Sequence, residues 1–324
     1  MLKIADLVPS NLQEEKIKFF ASGYTYNPQF TYPQPIDERQ LTQYGKPKRW
    51  LLLQARWIVW KYEHQQKNQP QKSVKNSRQQ LTQAQLTTLL LERLRHYQLD
   101  QVYQIKFSDK FVSRISVNLK QKEIKVQLPV QIGADEIEAV MAHEIDTHIL
   151  RQYNSEQQVW HGKKKKYGLS NHLRTEEGLA IINEMVASGE LLAYRTALNY
   201  LAVDLAQRGN FSQVFNFFLV HGQNPERAWT WTVKKKRGLS DTSHKGGFTK
   251  DVVYFEGFVE VLQFLKKNKF DPQLLYYGKV ATEDAQKAKA INPEYKPLLP
   301  LFIKNSLETF STVTKKLCNQ NLII

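Results

Sequence analysis

Cysteine and long apolar runs are almost absent from this sequence. Its 324 residues contain one cysteine, Cys318, so no disulfide can form within the chain. Apolar stretches such as Leu51 to Leu53 are interrupted within a few positions, far short of the roughly 20 apolar residues that cross a bilayer. The N-terminal region carries Glu14 and Glu15 and has no apolar core typical of a secretory signal. We therefore expect a soluble protein of the reducing cytoplasm, without a membrane partner.

Acidic residues are scarce relative to basic ones. The chain has 31 Asp and Glu against 46 Lys and Arg, which gives a formal net charge of +15. Such an excess favours an anionic partner or a strongly solvated surface. No zinc-finger spacing, aromatic RNA-binding motif or basic heptad array accompanies the charge. The net charge is the only feature that favours nucleic acid, and we do not expect nucleic acid to be the partner.

Hydrophobic periodicity predicts an α+β fold that is mainly helical. Apolar residues make up 41% of the chain, enough to build the core of one large or two ordinary domains. Helical spacing marks 49–64 and 81–95, whereas 114–128 alternates like a β-hairpin, which predicts a small sheet before the histidine-bearing helix that follows. Further helices are predicted at 175–188, 192–208, 211–220, 252–267 and 299–316.

The remaining segments predict the domain organisation. Residues 1–48, with many tyrosines and prolines, favour an extended segment laid over a core. The polar run 65–80 is typical of a loop or linker. We expect residues 1–100 to pack as an extended segment and helices on a catalytic domain formed by residues 101–324.

The sequence AHEIDTHILR at 142–151 contains a candidate metal site. His143, Glu144 and His148 form H-E-x-x-x-H, one residue longer than the H-E-x-x-H motif of zinc enzymes. In a regular α-helix, residues five apart are about 140° from one another around the axis. A π-type widening near 4.4 residues per turn reduces this to about 50°. The spacing therefore predicts a local bulge or a helix end. The alternative to a metal site is that one histidine caps a helix and the other makes a hydrogen bond in the core.

A third metal ligand is expected downstream, because catalytic zinc usually has three protein ligands. Thr175 is a candidate N-cap, Glu177 could face the histidines from the first helical turn, and Gly178 would permit close helix packing. We assign Glu176 only a favourable interaction with the helix N-terminus. Glu184, two turns after Glu177, is a candidate to orient a ligand imidazole as hydrogen-bond acceptor.

Three segments together resemble one known family. HEIDTH at 143–148, TEEGLA at 175–180 and KKKRGLSDTSHKGGFTKDVVYFEG at 234–257 occur in the order found in microtubule-associated tyrosine carboxypeptidases and their bacterial relatives named after a QEGLP motif. The resemblance spans roughly residues 24 to 290. Asp146 stands where the family pattern has glycine. Animal members that resemble this chain remove a C-terminal tyrosine from α-tubulin.

The resemblance implies a zinc metallopeptidase of the gluzincin type. It implies His143, His148 and Glu177 as ligands of Zn²⁺ and Glu144 as the general base. The implied reaction is hydrolysis of the C-terminal peptide bond of a peptide or protein tail, with an aromatic residue as one candidate product and an acidic tail as one candidate substrate. Oligomeric state does not follow from the resemblance.

The expected mechanism requires further groups. Tyr254 or a basic residue of the 234–250 loop is the candidate to stabilise the tetrahedral oxyanion. Arg237 and Lys250 are candidates to bind a terminal carboxylate, and arginine can do so with two parallel hydrogen bonds. The basic runs at 234–237 and 163–166 have a second interpretation as solvated loops.

Three alternatives stay open at this stage. The same fold could act as an aminopeptidase or endopeptidase, or the chain could be a basic nucleic-acid-binding or regulatory protein with a structural metal. The hairpin at 114–128 could pair with an extended substrate peptide or only build the core.

His161 and His172 are close enough in sequence to the motif to contact substrate, but we do not expect them to bind metal.

Overall fold

Helices dominate the fold, and one small sheet accompanies them. The computed structural model describes residues 4–68, 79–111 and 113–324. Within these ranges there is one three-stranded sheet, which confirms the predicted α+β class. None of the helices described there is long and apolar enough to cross a membrane.

The helices and strands are numbered in chain order. The helices are α1 (Leu12–Ala21), α2 (Glu38–Leu41), α3 (Arg49–Asn68), α4 (Gln83–His96), α5 (Ile137–His143), α6 (Leu150–Glu156), α7 (Leu173–Ser188), α8 (Tyr194–Ala206), α9 (Phe211–Val220), α10 (Pro225–Lys236), α11 (Val252–Lys267), α12 (Ala285–Ile291), α13 (Leu301–Asn305) and α14 (Leu307–Gln320). The strands are β1 (Gln104–Ser108), β2 (Ile115–Asn118) and β3 (Glu123–Gln127). A π-helix, Glu144–Ile149, joins α5 to α6.

The chain divides into two compact units, each built from two separated segments. The first unit comprises Met1–Gln66 and Ala193–Phe255, and the second comprises Lys67–Leu192 and Glu256–Ile324. The border near residue 100, predicted from the sequence as a functional division, is not tested by this grouping and stays a prediction. Part of the predicted 65–80 loop, residues 69–78, lies outside the described residues, while 65–68 continues α3.

Aromatic rings form the core of the first unit. The ring of Phe19 on α1 lies 5.0 Å from that of Phe211 and 4.8 Å from that of Phe215, both on α9. Trp229 on α10 completes the cluster, with its ring 5.4 Å from that of Phe19. The extended segment predicted near the N-terminus is present at Phe30, whose backbone N–H donates to Ser240, but α1 was not predicted.

The basic run at 234–237 is not a solvated loop, which corrects one of the two interpretations. Its lysines form the last turn of α10, a helix with Asn224 as N-cap and Pro225 in its first turn. The Lys236 side chain is fully buried, and its ammonium donates to the carbonyls of Gly209, His244 and Gly246 at 2.8, 2.7 and 3.0 Å. Three carbonyl acceptors replace the water that a buried ammonium loses.

The second unit contains the sheet, with strand order β1-β3-β2. β2 and β3 form the predicted antiparallel hairpin, and β1 pairs with β3 in parallel, which the sequence pattern did not predict. β2 lies at an edge of the sheet and contacts the π-helix. The hairpin therefore lies beside the histidine-bearing helix, as expected from its position in the chain.

Two glycines bring α7 and α11 into close contact within the second unit. A Cβ atom at Gly178 would lie 2.2 Å from the backbone carbonyl carbon of Gly257, and one at Gly257 would lie 2.1 Å from the carbonyl oxygen of Arg174. The close packing predicted at Gly178 is therefore present. The predicted helix at 299–316 is instead two helices, α13 and α14, because Ser306 caps a new helix by accepting a hydrogen bond from the backbone of Thr309.

Candidate metal centre

The predicted widening of the histidine-bearing helix is present as a π-helix from Glu144 to Ile149. The hydroxyl of Thr147 donates to the carbonyl of Ala142, five residues earlier, at 2.9 Å. With this widening, the rings of His143 and His148 lie edge to face with centroids 5.1 Å apart. The extra residue between the histidines is thus absorbed by the backbone, as the spacing required.

Three potential metal-binding side chains converge at this point. One ligand atom each of His143, His148 and Glu177 lie within 4.8 Å of one another, and His148 Nε2 is 3.9 Å from a Glu177 carboxylate oxygen. In the described residues, no other group of three or more His, Cys, Asp or Glu side chains meets this criterion. Two imidazoles and one carboxylate are the donor set of many catalytic zinc sites. Their role as ligands stays a prediction.

Each imidazole is hydrogen-bonded through Nδ1 to a carboxylate of α7. His143 Nδ1 lies 3.1 Å from Glu184 Oε2, and His148 Nδ1 lies 2.9 Å from Glu176 Oε1. A carboxylate can only accept, so Nδ1 of each ring carries a proton, and Nε2 is the nitrogen that this bond does not use. The contact between Glu184 and a histidine was foreseen from its position two turns after Glu177.

Glu176 was misjudged from the sequence. Its side chain is almost fully buried, and it accepts hydrogen bonds from Arg151 at 2.5 Å and Lys279 at 2.7 Å, besides His148. Burial opposes ionisation, but Lys279 and Arg151 outweigh it and hold the pKa of Glu176 well below its usual value. The role of Glu176 is therefore not limited to the helix N-terminus.

Thr175 is likewise not the N-cap of α7, which begins at Leu173 with His172 as N-cap. The Thr175 hydroxyl instead donates to Glu260 and accepts from the backbone N–H of Thr282. The helix starts earlier because the side chain of Asn171 accepts a hydrogen bond from the backbone of Leu173. The extra residues place Thr175 inside the first turn.

Carboxylates dominate the electrostatics around the two imidazoles. Burial alone would lower the pKa of His143, but the hydrogen bond to Glu184 and the charge of Glu144 raise it to about 9. Burial raises the pKa of Glu144 above its ordinary value, against the opposing effect of His143 and His148. Glu144, Glu177 and Glu184 all favour the charged form of His143, and the same carboxylates would favour a bound cation at this point.

Side chains behind the π-helix fix its irregular backbone. Asp146 is fully buried and accepts from Arg93 at 2.6 Å and from the Tyr97 hydroxyl at 2.8 Å. The hydroxyl of Tyr276 donates to the Asp146 carbonyl at 3.1 Å. Asn183 of α7 donates to Tyr276 at 2.8 Å. Asp146 therefore anchors the widened turn.

The basic run at 163–166 is partly solvated, as one interpretation predicted. Lys163, Lys165 and Lys166 are exposed, and the run lines a cavity of about 600 Å³ in the second unit. Lys164 is half-buried, and its ammonium contacts the carbonyl of Lys279 and lies 2.9 Å from His172 Nδ1. His172 is therefore engaged as an acceptor from an ammonium, and the expectation that it does not bind metal stays a prediction.

The predicted substrate-binding residues lie in the first unit. The guanidinium of Arg237 lies 4.7 Å from the centre of the Phe248 ring, and the ammonium of Lys250 lies 5.8 Å from the centre of the Tyr254 ring. Both are cation–π distances. The roles predicted for Arg237, Lys250 and Tyr254 stay predictions.

Comparison with known proteins gives the family. The sequence model for microtubule-associated tyrosine carboxypeptidase matches residues 39–319, which is most of the chain. The chain belongs to this family. The resemblance inferred from the three motifs is confirmed.

Mammalian members of the family align over nearly the whole chain. Microtubule-associated tyrosine carboxypeptidase 1 of Homo sapiens is 31% identical over 289 residues, which cover 86% of this chain and 59% of the relative. The protein of the same name from Mus musculus is 29% identical over 304 residues, covering 92% of this chain and 64% of the relative. The chain thus spans about three fifths of the length of these relatives.

Proposed function

We propose that this protein is a zinc-dependent metallocarboxypeptidase of the gluzincin type. The observation that carries the proposal is the convergence of His143, His148 and Glu177 within 4.8 Å, with Glu144 next to His143 in the chain, at the start of the π-helix that carries His148. Family members named tyrosine carboxypeptidases support the reaction class. The substrate is the C-terminal tail of a peptide or protein, with an aromatic last residue and an acidic tail as the first candidates.

The chemistry of the donor set fits zinc. Imidazole nitrogen and carboxylate oxygen are both common zinc ligands, and three protein ligands leave one position open. The hydrogen bonds from Nδ1 to Glu184 and Glu176 leave Nε2 of His143 and His148 available for a metal. Such carboxylate–histidine pairs orient the rings and increase their basicity.

The residues of the chain would move one proton during peptide hydrolysis. A zinc ion at this position supplies a Lewis acid, which polarises the scissile carbonyl and makes water more acidic. Glu144 accepts a proton from the attacking water while the water oxygen bonds to the carbonyl carbon. Glu144 then donates this proton to the amine nitrogen as the C–N bond breaks, and the two products are a carboxylic acid and an amine, between which the acid proton then passes to give a carboxylate and an ammonium.

Groups for binding the substrate are proposed from residue chemistry. Arg237 or Lys250 would bind the terminal carboxylate, and Tyr254 would donate to the oxyanion. β2 is an edge strand that contacts the π-helix, so an extended peptide could pair with it and approach the histidines. A substitution of the carboxylate-binding residue should raise KM for free C-termini more than it lowers kcat.

Mass spectrometry of defined peptides tests the proposal. Peptides with free and with amidated C-termini, ending in tyrosine, phenylalanine or glutamate, are incubated with the zinc-loaded protein. Loss of the last residue from free but not amidated peptides is expected. The Glu144→Gln protein should bind zinc equally but be slower by a factor on the order of 10² or more, because the proton acceptor is lost.

Other outcomes identify the alternatives. Cleavage of amidated peptides from the N-terminus or internally would indicate an aminopeptidase or endopeptidase with the same site. Absence of any cleavage, together with salt-dependent nucleic-acid binding that Glu144→Gln leaves unchanged, would replace the proposal with a basic binding protein that keeps a structural metal.

A further inference from the structure

Arg151 on α6 links the candidate metal centre to a segment far away in sequence. Its side chain is fully buried. Nε donates to the carbonyl of Leu275 at 2.8 Å and Nη2 to the carbonyl of Val280 at 2.7 Å. Nη1 donates to Glu176 Oε2 at 2.5 Å. One planar guanidinium therefore fixes both the 275–280 segment and the carboxylate that pairs with His148.

Lys279, within the same segment, binds the other oxygen of Glu176. Its ammonium is 2.7 Å from Oε1, the oxygen that also accepts from His148 Nδ1 at 2.9 Å. The Lys279 side chain is 12% exposed and that of Glu176 is 4% exposed, so little water competes for these bonds. Three donors on two oxygens prevent the carboxylate from rotating.

We propose that Arg151 and Lys279 are positioning residues that hold the Glu176 carboxylate and thereby orient the His148 ring for zinc. The inference rests on the proposed zinc site and extends it. Neither residue bonds to the imidazole itself, so each acts through Glu176. The 275–280 segment becomes part of the metal centre, because its contacts through Leu275, Val280 and Lys279 end on Arg151 or Glu176.

The geometry distinguishes this arrangement from an ordinary buried ion pair. A stabilising ion pair requires only that opposite charges meet, whereas here the acceptor oxygens are divided between a histidine, a lysine and an arginine. Carboxylates that orient metal-bound histidines typically influence metal affinity by about 10- to 100-fold. Substitutions that loosen Glu176 should therefore weaken zinc binding even though they leave all three proposed ligands in place.

A double-mutant cycle with zinc affinity as the readout tests the proposal. Zinc affinity is measured by chelator competition for wild type, Lys279→Met, Glu176→Gln and the double variant. Glu176→Gln should bind zinc about 10- to 100-fold more weakly. Lys279→Met should lose about 5-fold in the wild-type background and less than about 2-fold in the Glu176→Gln background, because its effect passes through Glu176.

Two further variants and two further measurements separate positioning from folding. Lys289→Met removes the same charge from an exposed position on α12 and should leave the affinity unchanged. Arg151→Lys keeps the charge but loses the planar fork, and should weaken zinc binding by about 10-fold. The visible absorption of bound Co²⁺ should shift in the Arg151→Lys and Glu176→Gln proteins, whereas the thermal unfolding of the metal-free proteins reports stability alone.

Two results would overturn the inference. One is equal zinc affinity in wild type and Lys279→Met. Another is an equal loss on replacing Lys279 in both backgrounds, since this would indicate a long-range charge effect. Absence of zinc binding by the wild-type protein would remove the proposed function as well, whereas normal zinc binding that none of these substitutions alters removes this inference alone.

Discussion

Replacing Gly178 with alanine tests how closely the helix carrying the candidate ligand Glu177 must pack. The added Cβ would lie 2.2 Å from both the carbonyl carbon and the carbonyl oxygen of Gly257. Favourable contacts between heavy atoms lie at about 3.5 to 4.0 Å. The obstacle is backbone rather than the end of a flexible side chain, so α7 and α11 must separate by about 1 Å or more.

Two opposing effects determine the magnitude. Alanine is a better helix former than glycine by about 1 kcal/mol in an exposed helix interior. Overpacking of a core costs about 1 to 3 kcal/mol, and a backbone obstacle places Gly178→Ala at the upper end. The clash wins, and we expect the free energy of unfolding to fall by about 2 kcal/mol.

Urea denaturation followed by circular dichroism measures this change. Gly209→Ala is the control, because the nearest atom to its added Cβ is not backbone but Oε1 of the Gln213 side chain, 2.6 Å away, which can move at the cost of its hydrogen bond from the backbone N–H of Asn210. We expect the control to stay within about 1 kcal/mol of wild type. A Gly178→Ala protein as stable as wild type, or more stable, would refute the packing argument.

Three further substitutions test the surroundings of the site. Asp146→Asn leaves the Arg93 guanidinium without its buried carboxylate. The free energy of unfolding, measured by urea denaturation, should fall by about 3 kcal/mol. A change below about 0.5 kcal/mol would show that the π-helix needs no such anchor. Burial and the Lys164 ammonium lower the pKa of His172 to about 3 from the ordinary value of 6.5. The unfolded chain therefore binds the extra proton first, so stability is lost as pH falls through 6.5, by about 1 to 2 kcal/mol between pH 7 and 5. This component should disappear in His172→Gln, and an identical pH dependence in both proteins would contradict it. Glu184→Gln should weaken zinc binding by about 10-fold in chelator competition, and unchanged affinity would remove its assigned role.

Strongly periodic helices were predictable because their signal is local. The helices at 211–220 and 252–267 begin and end at the predicted residues. α10 was missed although Asn224 and Pro225 mark its start, because its last turn consists of lysines that resemble a solvated loop. Lys235 and Lys236 are instead buried, and backbone carbonyls accept from the Lys236 ammonium.

The parallel strand β1 could not be read from local pattern. It pairs with β3, while β2 pairs with the other side of β3. The hairpin of β2 and β3 follows from alternation and a short turn, which are local features. The pairing of β1 depends on which strand lies beside it in the folded unit, and alternation does not encode that choice.

The candidate site was predictable where its residues are close in sequence. The spacing of His143 and His148 required a widened helix, and the π-helix provides it. Glu176 was misjudged because the cations that bind it, Arg151 and Lys279, are 25 and 103 residues away. One signal was present: Arg151 follows His148 by three residues, so both side chains project from neighbouring positions of one helix.

Metal content after purification in zinc-containing buffer tests the central claim most directly. Inductively coupled plasma mass spectrometry should find about one zinc per chain in the wild-type and Glu144→Gln proteins. His143→Ala, His148→Ala and Glu177→Ala should each lose most of the zinc while keeping a cooperative unfolding transition. Full zinc occupancy in any of these three variants would contradict the proposed ligand set, and absence of zinc from the wild-type protein would contradict the metallopeptidase account.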